Sequence, residues 1–468
     1  MFRAGVARTR ISPFRGVELT GWGYFIERGW REVHDHLNAT ALAFDDGRNA
    51  AIIVALDLMV IDGAFTQRTR TRIAEETGLP TAAVLLTCSH SHNAPAAGGL
   101  RGAGASDPAY EDWAGRQAAT AAVLAWERRV EATIRVGSTM VPGLSFNRTR
   151  PNGVTDDRLT VARVDRADGS PLAIVANFAA HPTVATELRP WHVGRDVPGV
   201  VVDGLEGAFP DATALYLQGA CGDVNFLREF STEKRWREPG ERLVEAAIEV
   251  IDSAPVAQGP MVACASATAH LPTRRWSLDE LMTDREEAER RLRDRDISNW
   301  RETIGRAMTN RPDDMVKRHG GDEWKAVAAM CRFHREWTEI MLRDYKSRPE
   351  TLATEVQVVR VGDLFVAANS SEFFSPFALQ LREETALPGL MIAAYSNGRI
   401  GYLPDARDIA DRTYAAYQSP KYCDQFPFTA ESGPAMVAAM KDVIAACFSG
   451  RLGPDSTHGD TRQCSTSH

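Results

Sequence analysis

Two histidines separated by one residue, His90 and His92, follow an apolar run that is typical of a buried strand. Residues two apart on a strand face the same side, so the sequence predicts that both imidazoles project from the strand's end. One of them can hold a metal there while the other handles protons or an oxyanion. Taken alone, the pair is interpreted equally well as two structural histidines at a strand terminus.

Other apolar runs also lead into polar side chains. His181 follows one run, Asn225 lies beyond a second, and Glu372 comes after a third. Ligands of open α/β sheets bind beyond the carboxyl ends of the strands, so we expect these groups to lie together. Histidines plus a carboxylate form open catalytic zinc sites. Singly, His181 could cap a strand and Glu372 could lie at a helix N-terminus, but their shared position favours a metal site.

Runs rich in β-branched residues alternate with helix-like segments along most of the chain. This alternation predicts an α/β fold, a large single domain with a mixed buried sheet and helices packed around it. The predicted strands cover residues 50–60, 82–87, 172–178, 212–217, 363–368 and 390–395, and the predicted helices cover 67–77, 112–129, 241–252 and 433–447.

The segment from about 276 to 347 departs from this alternation, because it is dense in Arg, Asp and Glu and has a helical pattern throughout. It predicts a helical insertion, which is either a solvated surface feature or a lid over the site. The domain is predicted to cover residues 1–450. Residues 451–468 are polar and rich in small residues, which predicts a disordered tail.

Composition limits the possible functions. The chain has 468 residues and a net charge of −8, and its Lys and Arg residues are scattered, which argues against nucleic-acid binding and for a small-molecule substrate. No run is long enough to cross a bilayer and the N-terminus lacks the apolar stretch of a signal peptide, so we expect a cytoplasmic protein. Seven cysteines without CxxC spacing fit reduced thiols. Nothing in the sequence indicates the oligomeric state.

A series of short segments, in this order and spacing, carries a family resemblance: 5–13, 20–23, 33–35, 55–58, 88–95, 147–148, 195–199, 222–224, 372–373 and the surroundings of His181 and Tyr402. Over about residues 2–435 the chain resembles the N-terminal zinc-dependent catalytic domain of the neutral/alkaline non-lysosomal ceramidases, which are amidases. The resemblance implies a zinc cofactor and an amide-cleaving activity.

The resemblance also implies roles for individual residues. In the family, four residues hold zinc and others beside it polarise the scissile carbonyl and stabilise the oxyanion. The implied zinc ligands are His90, His181, Glu372 and Tyr402, and the implied catalytic residues are His92, Arg148 and Tyr414, with Tyr417 as the alternative counterpart of Tyr414.

Asn225 departs from the family pattern. Ceramidases carry a nucleophilic serine directly after Gly-Asp-Val, and this chain has Asn225 there. An amide cannot be activated as an alkoxide, so Asn225 would act as an orienting donor, or the activity would be a different one. The sequence also lacks the following β-sandwich domain and the secretory signal, which predicts a soluble substrate rather than a membrane lipid.

Together these features predict a zinc-dependent hydrolase that cleaves an amide or ester bond of a small soluble substrate through a metal-activated water. Two alternatives stay open. One is a zinc-dependent lyase or isomerase that acts on a polyol or a sugar-like substrate, and the other is a catalytically inactive ceramidase-like binding protein.

Overall fold

The structure, a computed structural model, describes residues 1–257, 259–302 and 312–448. The tail predicted at 451–468 and residues 303–311 of the predicted insertion lie outside the described residues. Each predicted strand and helix corresponds to an element of the structure, with ends that differ by a few residues.

The described residues form strands β1 (Arg3–Arg10), β2 (Glu32–Val33), β3 (Asn38–Asp45), β4 (Ala50–Leu56), β5 (Val84–Cys88), β6 (Val130–Met140), β7 (Ser145–Asn147), β8 (Arg158–Arg166), β9 (Pro171–Phe178), β10 (His192–Val193), β11 (Thr213–Gln218), β12 (Val224–Phe226), β13 (Val262–Pro272), β14 (Thr351–Val361), β15 (Leu364–Asn369), β16 (Glu372–Phe373), β17 (Leu390–Ala393) and β18 (Tyr402–Leu403). The helices are α1 (Gly63–Thr77), α2 (Pro108–Glu127), α3 (Asp196–Ala208), α4 (Glu238–Ser253), α5 (Leu278–Asp294), α6 (Pro312–Arg318), α7 (Glu323–Arg343), α8 (Ser375–Thr385), α9 (Ala406–Ala410) and α10 (Ser432–Phe448).

Two sheets face each other across an apolar core. The larger has the strand order β11-β9-β8-β6-β1-β3-β4-β5, and the smaller has the order β13-β14-β15-β17. Both are mixed, because β9 and β11, β4 and β5, and β15 and β17 pair in parallel while their other pairs are antiparallel. Apolar side chains from both sheets, among them Phe44, Ile53, Leu217, Val359 and Met391, form one buried cluster.

Helices cover the outer faces of the two sheets. Helix α2 packs on β1 and β3, α4 on β6 and β8, and α3 on β11, while α10 packs on β13 and β14 of the smaller sheet. Each helix buries one side against a sheet, since a sheet with two apolar faces needs a layer on both. The predicted α/β class, with a large buried mixed sheet and surrounding helices, is confirmed.

Helices α5, α6 and α7 lie between β13 and β14 in the chain, within the segment predicted as a helical insertion. They form apolar clusters of their own, and one of these, around Trp300 and Phe333, includes Tyr24 and Tyr422 from elsewhere in the chain. The helical segment is therefore packed against loops that reach the candidate site. Among the described residues, every helix is too short or too polar to cross a membrane.

Candidate metal centre

The His90–His92 pair lies in a turn rather than on a strand. Strand β5 ends at Cys88, and His90 has a left-handed backbone with φ of 62°. The turn is held by the amides of Ser89 and His90, which donate to the carbonyls of Leu56 and Leu58, both at 2.9 Å. The two Nε2 atoms lie 3.3 Å apart. Strand alternation predicted that the two imidazoles lie together, and they do. However, a strained turn brings them together, and not the pleat of a strand.

His181 joins this pair. It follows β9, and its Nε2 lies 3.1 Å from Nε2 of His90. The Nδ1 atom of each ring donates to a backbone carbonyl: His90 to Met59 at 2.9 Å, His92 to Gly21 at 2.8 Å and His181 to Cys221 at 2.6 Å. Such bonds fix the tautomer, so the unprotonated Nε2 atoms face one another.

Burial keeps the imidazoles of His92 and His181 neutral. Burial and the neighbouring Arg148 lower the pKa of His181 to about 3. Burial, together with His90 and His181, holds the pKa of His92 well below its ordinary value. Neutral imidazole is the form that binds a metal.

Glu372 supplies a carboxylate to the same cluster. Strands β16 and β18 form a two-residue parallel pair in which Glu372 lies opposite Tyr402. The Oε2 atom of Glu372 is 3.6 Å from Nε2 of His90 and 3.3 Å from Nε2 of His181. This oxygen is buried and has no hydrogen-bond donor, because the nearby Nε2 atoms carry no proton. A buried carboxylate oxygen without a donor is expensive, and a cation would satisfy it.

The donor atoms fit a single metal ion. One ring nitrogen from each of the three histidines lies within 4.8 Å of the other two, and the separations given above run from 3.1 to 3.6 Å. Ligands at about 2.0–2.1 Å from a tetrahedral zinc are roughly 3.3–3.4 Å apart. Nitrogen and carboxylate oxygen donors suit zinc. Nε2 of His92 is 3.3 Å from Nε2 of His90, against 3.1 Å for His181, so distance alone does not separate the role of His92 from theirs.

Arg148 links Tyr402 and Asn225 to this cluster. It follows β7, and its Nη2 donates to Oη of Tyr402 at 2.7 Å and to the carbonyl of Gly222 at 2.9 Å. Its Nη1 donates to Oδ1 of Asn225 at 3.3 Å. Asn225 reaches this position because β12 pairs with β7. The buried carboxylate of Asp223 also holds these strands together through the side chain of Asn147 at 2.8 Å.

Tyr414, and not Tyr417, lies at the site. Tyr414 begins a π-helical turn over Tyr414–Gln418, and its ring centroid is 5.7 Å from that of Tyr402. Tyr417 instead stacks on Trp276, with the ring centroids 5.2 Å apart. All eight residues that the sequence analysis selected thus lie in one neighbourhood.

Two cavities meet at His92, Tyr402 and Tyr414. The larger has a volume of about 290 Å³ and mostly polar walls, which include Arg148, Thr183, Glu187, Asn225, Arg228, Ser231 and Asp314. The smaller cavity, which we call the recess, has a volume of about 50 Å³. Its further walls are mainly apolar or aromatic and include Met59, Leu100, Ala103, Tyr422 and Cys423.

Further residues, which were not predicted from the sequence, hold this site in place. Arg28 is 1% exposed and donates to the carbonyl of His92 at 2.9 Å and to Oδ1 of Asn93 at 2.8 Å, while stacking on Trp22 at 4.0 Å. The Gly21-Trp22-Gly23 turn was a signal for a close backbone approach. Arg28 has no comparable signal, because the residues that it holds at the site, His92 and Asn93, are more than 60 residues away in sequence.

The sequence matches no protein-family model and no curated protein. Solved structures do match the fold. A neutral ceramidase from Pseudomonas aeruginosa has a TM-score of 0.70 and 15% identity, over 98% of this chain and 76% of that chain. A ceramidase complexed with C2 has a TM-score of 0.67 and 15% identity, over 97% of this chain and 77% of that chain. At this identity the likeness shows the fold: the chain has a ceramidase-like fold.

Proposed function

We propose that this protein is a zinc-dependent hydrolase that cleaves an amide, or an ester, bond of a small soluble substrate. One observation carries the proposal: histidine Nε2 atoms lie around Oε2 of Glu372, a buried carboxylate oxygen that accepts no hydrogen bond. The ceramidase-like fold supports the same reaction type, because the ceramidases that the sequence resembles are amidases. Polar walls in the larger cavity favour a water-soluble substrate.

The proposed zinc ligands are His90, His181, Glu372 and Tyr402. Bound zinc supplies a Lewis acid and lowers the pKa of water to about 7. Burial raises the pKa of the Tyr402 phenol well above its ordinary value. The guanidinium of Arg148, at 2.7 Å from its Oη, favours the phenolate that a metal ligand requires.

The remaining residues act on the substrate itself. The Nδ1 proton of His92 is committed to the carbonyl of Gly21, so its Nε2 is free to accept and return a proton. Tyr414 and Arg148 offer donors to the oxyanion of a tetrahedral intermediate. Asn225 accepts from Arg148 through Oδ1, which leaves its amide N–H groups to orient a carbonyl or a water.

Metal content and label incorporation test the proposal. We expect about one zinc per chain in wild type, and loss of both zinc and turnover in His181→Ala and Glu372→Gln. The exposed His270 provides the control, since His270→Ala should keep both. A panel of N-acyl amides and esters in ¹⁸O-water should yield one labelled oxygen in the acid product.

Three results would contradict this assignment in different ways. A folded wild type that cannot be loaded with zinc would overturn the metal centre. Turnover of a polyol or sugar without change of mass or uptake of label would favour the lyase or isomerase. Stoichiometric zinc with no turnover across the panel would favour a binding protein.

A further inference from the structure

The recess and the larger cavity share His92, Tyr402 and Tyr414 as wall residues but differ in size and chemistry. We propose that the substrate is a short-chain N-acyl amide of a polar amine, with an acetyl- or propionyl-sized group in the recess, and that Leu100 sets this limit. The inference rests on the proposed function and names the substrate class of the same site.

Volume limits what the recess can hold. A buried apolar cavity of about 150 Å³ binds benzene, which has six carbon atoms. The recess, at about 50 Å³, has a third of that volume, which scales to about two carbon atoms. Its walls of Met59, Leu100, Ala103 and Tyr422 suit an alkyl group, because apolar burial is favourable.

Chemistry assigns the other half of the substrate to the larger cavity. An alkylamine released by hydrolysis takes up a proton at neutral pH, since its pKa is near that of a lysine side chain, about 10.4. A cation is costly against the apolar walls of the recess, because the carboxylate that also lines it, Glu372, is a proposed metal ligand. The larger cavity has charged walls of both signs, from Glu187, Asp314, Arg148 and Arg228, and therefore suits the polar amine better than the recess does. Hydroxyl and amide groups of Thr183, Ser231 and Asn225 suit a hydroxylated one.

Leu100 separates the recess from a further cavity of about 660 Å³, because it lines both. The rest of the partition is aromatic. The ring centroids of Tyr24 and Phe333 are 5.0 Å apart, and those of Phe333 and Tyr422 are 4.9 Å apart. These three rings are buried, whereas Leu100 is only partly buried. Truncating Leu100 would therefore lengthen the recess with the least disturbance.

The test uses the zinc-loaded full chain and a series of straight-chain alkyl hydroxamates, from acetohydroxamate to decanohydroxamate, with binding measured by calorimetry. A methylene that finds room adds about fourfold to affinity. For wild type we expect affinity to stop rising beyond three carbons and to fall at least tenfold by six. Leu100→Ala should regain tenfold or more for the six- and eight-carbon probes.

Leu79→Ala is the matched control, because Leu79 is also partly buried against the core and lines none of the three cavities. It should retain the wild-type limit. Equal affinities for short and long probes in wild type, or an unchanged limit in folded, zinc-loaded Leu100→Ala, would overturn the inference.

Hydrolysis assays separate this inference from the proposed function. Cleavage of N-acetyl and N-octanoyl amides at equal rates would overturn the length limit and leave the hydrolase assignment intact. Hydroxamates that obey the limit, with no amide or ester cleaved, would overturn the hydrolase assignment and support the recess as the binding site for short chains.

Discussion

Replacing Lys421 with methionine is expected to destabilise the protein by about 3 kcal/mol at pH 8. Lys421 is 1% exposed and belongs to the 3₁₀ turn Ser419–Cys423, directly after the π-helical turn that carries Tyr414. Its ammonium lies 2.9 Å from Oδ2 of Asp284 on α5 and 3.0 Å from Nδ1 of His334 on α7. This ion pair fastens the site turn to the helical segment.

The structure sets the size of the effect. Removing one partner of a buried ion pair costs about 3–5 kcal/mol, because the other charge stays buried and unpaired. The side chain of Asp284 is 20% exposed, so water relieves part of that cost and places it near the lower end. The ammonium also lies 4.7 Å from the ring of Trp337 and 4.8 Å from that of Trp276, and these cation–π contacts are lost as well.

The destabilisation should depend on pH. Burial and the charge of Lys421 lower the pKa of His334. Without Lys421, Asp284 remains 3.0 Å from Nδ1 of His334 and raises that pKa. Stabilisation by a protonated His334 is fully present below the unfolded pKa of about 6.5 and is lost as pH rises through the folded value. We expect the cost at pH 5 to be about 1 kcal/mol smaller than at pH 8.

Urea unfolding of Lys421→Met, Asp284→Asn and the double variant measures the effect and the coupling between the two side chains. The double variant should cost less than the sum of the single variants by about 2 kcal/mol. Lys441→Met is the matched control, because Lys441 pairs with Glu384 on the surface and should cost under about 1 kcal/mol. A loss below about 1 kcal/mol in Lys421→Met, or additive costs in the cycle, would refute this account.

Three further predictions concern the site. His92→Ala should weaken zinc binding by about 10–100-fold, as expected for a residue that neighbours the metal without binding it. His181→Ala should abolish stoichiometric zinc binding. If elemental analysis shows that both variants lose zinc equally, His92 is a ligand. Gly23→Ala should displace Tyr422, whose Oη would lie 1.8 Å from the new Cβ, and lower the thermal midpoint; an unchanged midpoint would contradict this packing. Burial raises the pKa of Asp223 to about 6, so this carboxyl stabilises the fold most below about pH 4 and its contribution is lost as pH rises through 6. In metal-free protein, the advantage of wild type over Asp223→Asn in urea unfolding should therefore shrink between pH 4 and pH 6, and a constant difference would contradict it.

The elements of the fold were predictable because their patterns are local. Runs such as 50–60 and 172–178 contain the buried strands β4 and β9, since continuous β-branched sequences suit a sheet covered on both faces. The division into two facing sheets was not predictable, because the apolar faces of β4 and β15 look alike in sequence. Which faces meet is settled only by packing.

The candidate site, like the fold, was predictable only in part from the sequence. The residue types that can hold a metal were visible as polar groups after apolar runs, and the resemblance added Tyr402 and Tyr414. The choice of Tyr414 over Tyr417 was left open by the sequence, and it depends on a π-helical turn that directs the two rings to different neighbours.

The α/β class and the kinds of donor atom available follow from the amino-acid sequence, because strand and helix patterns and side-chain chemistry are properties of short segments. How those atoms meet depends on contacts between distant segments. His90 and His181 are 91 residues apart, and their Nε2 atoms face each other because carbonyls of Met59 and Cys221 hold the opposite ring nitrogens. Sequence spacing does not specify such contacts, and the same is true of the position of Leu100 between two cavities.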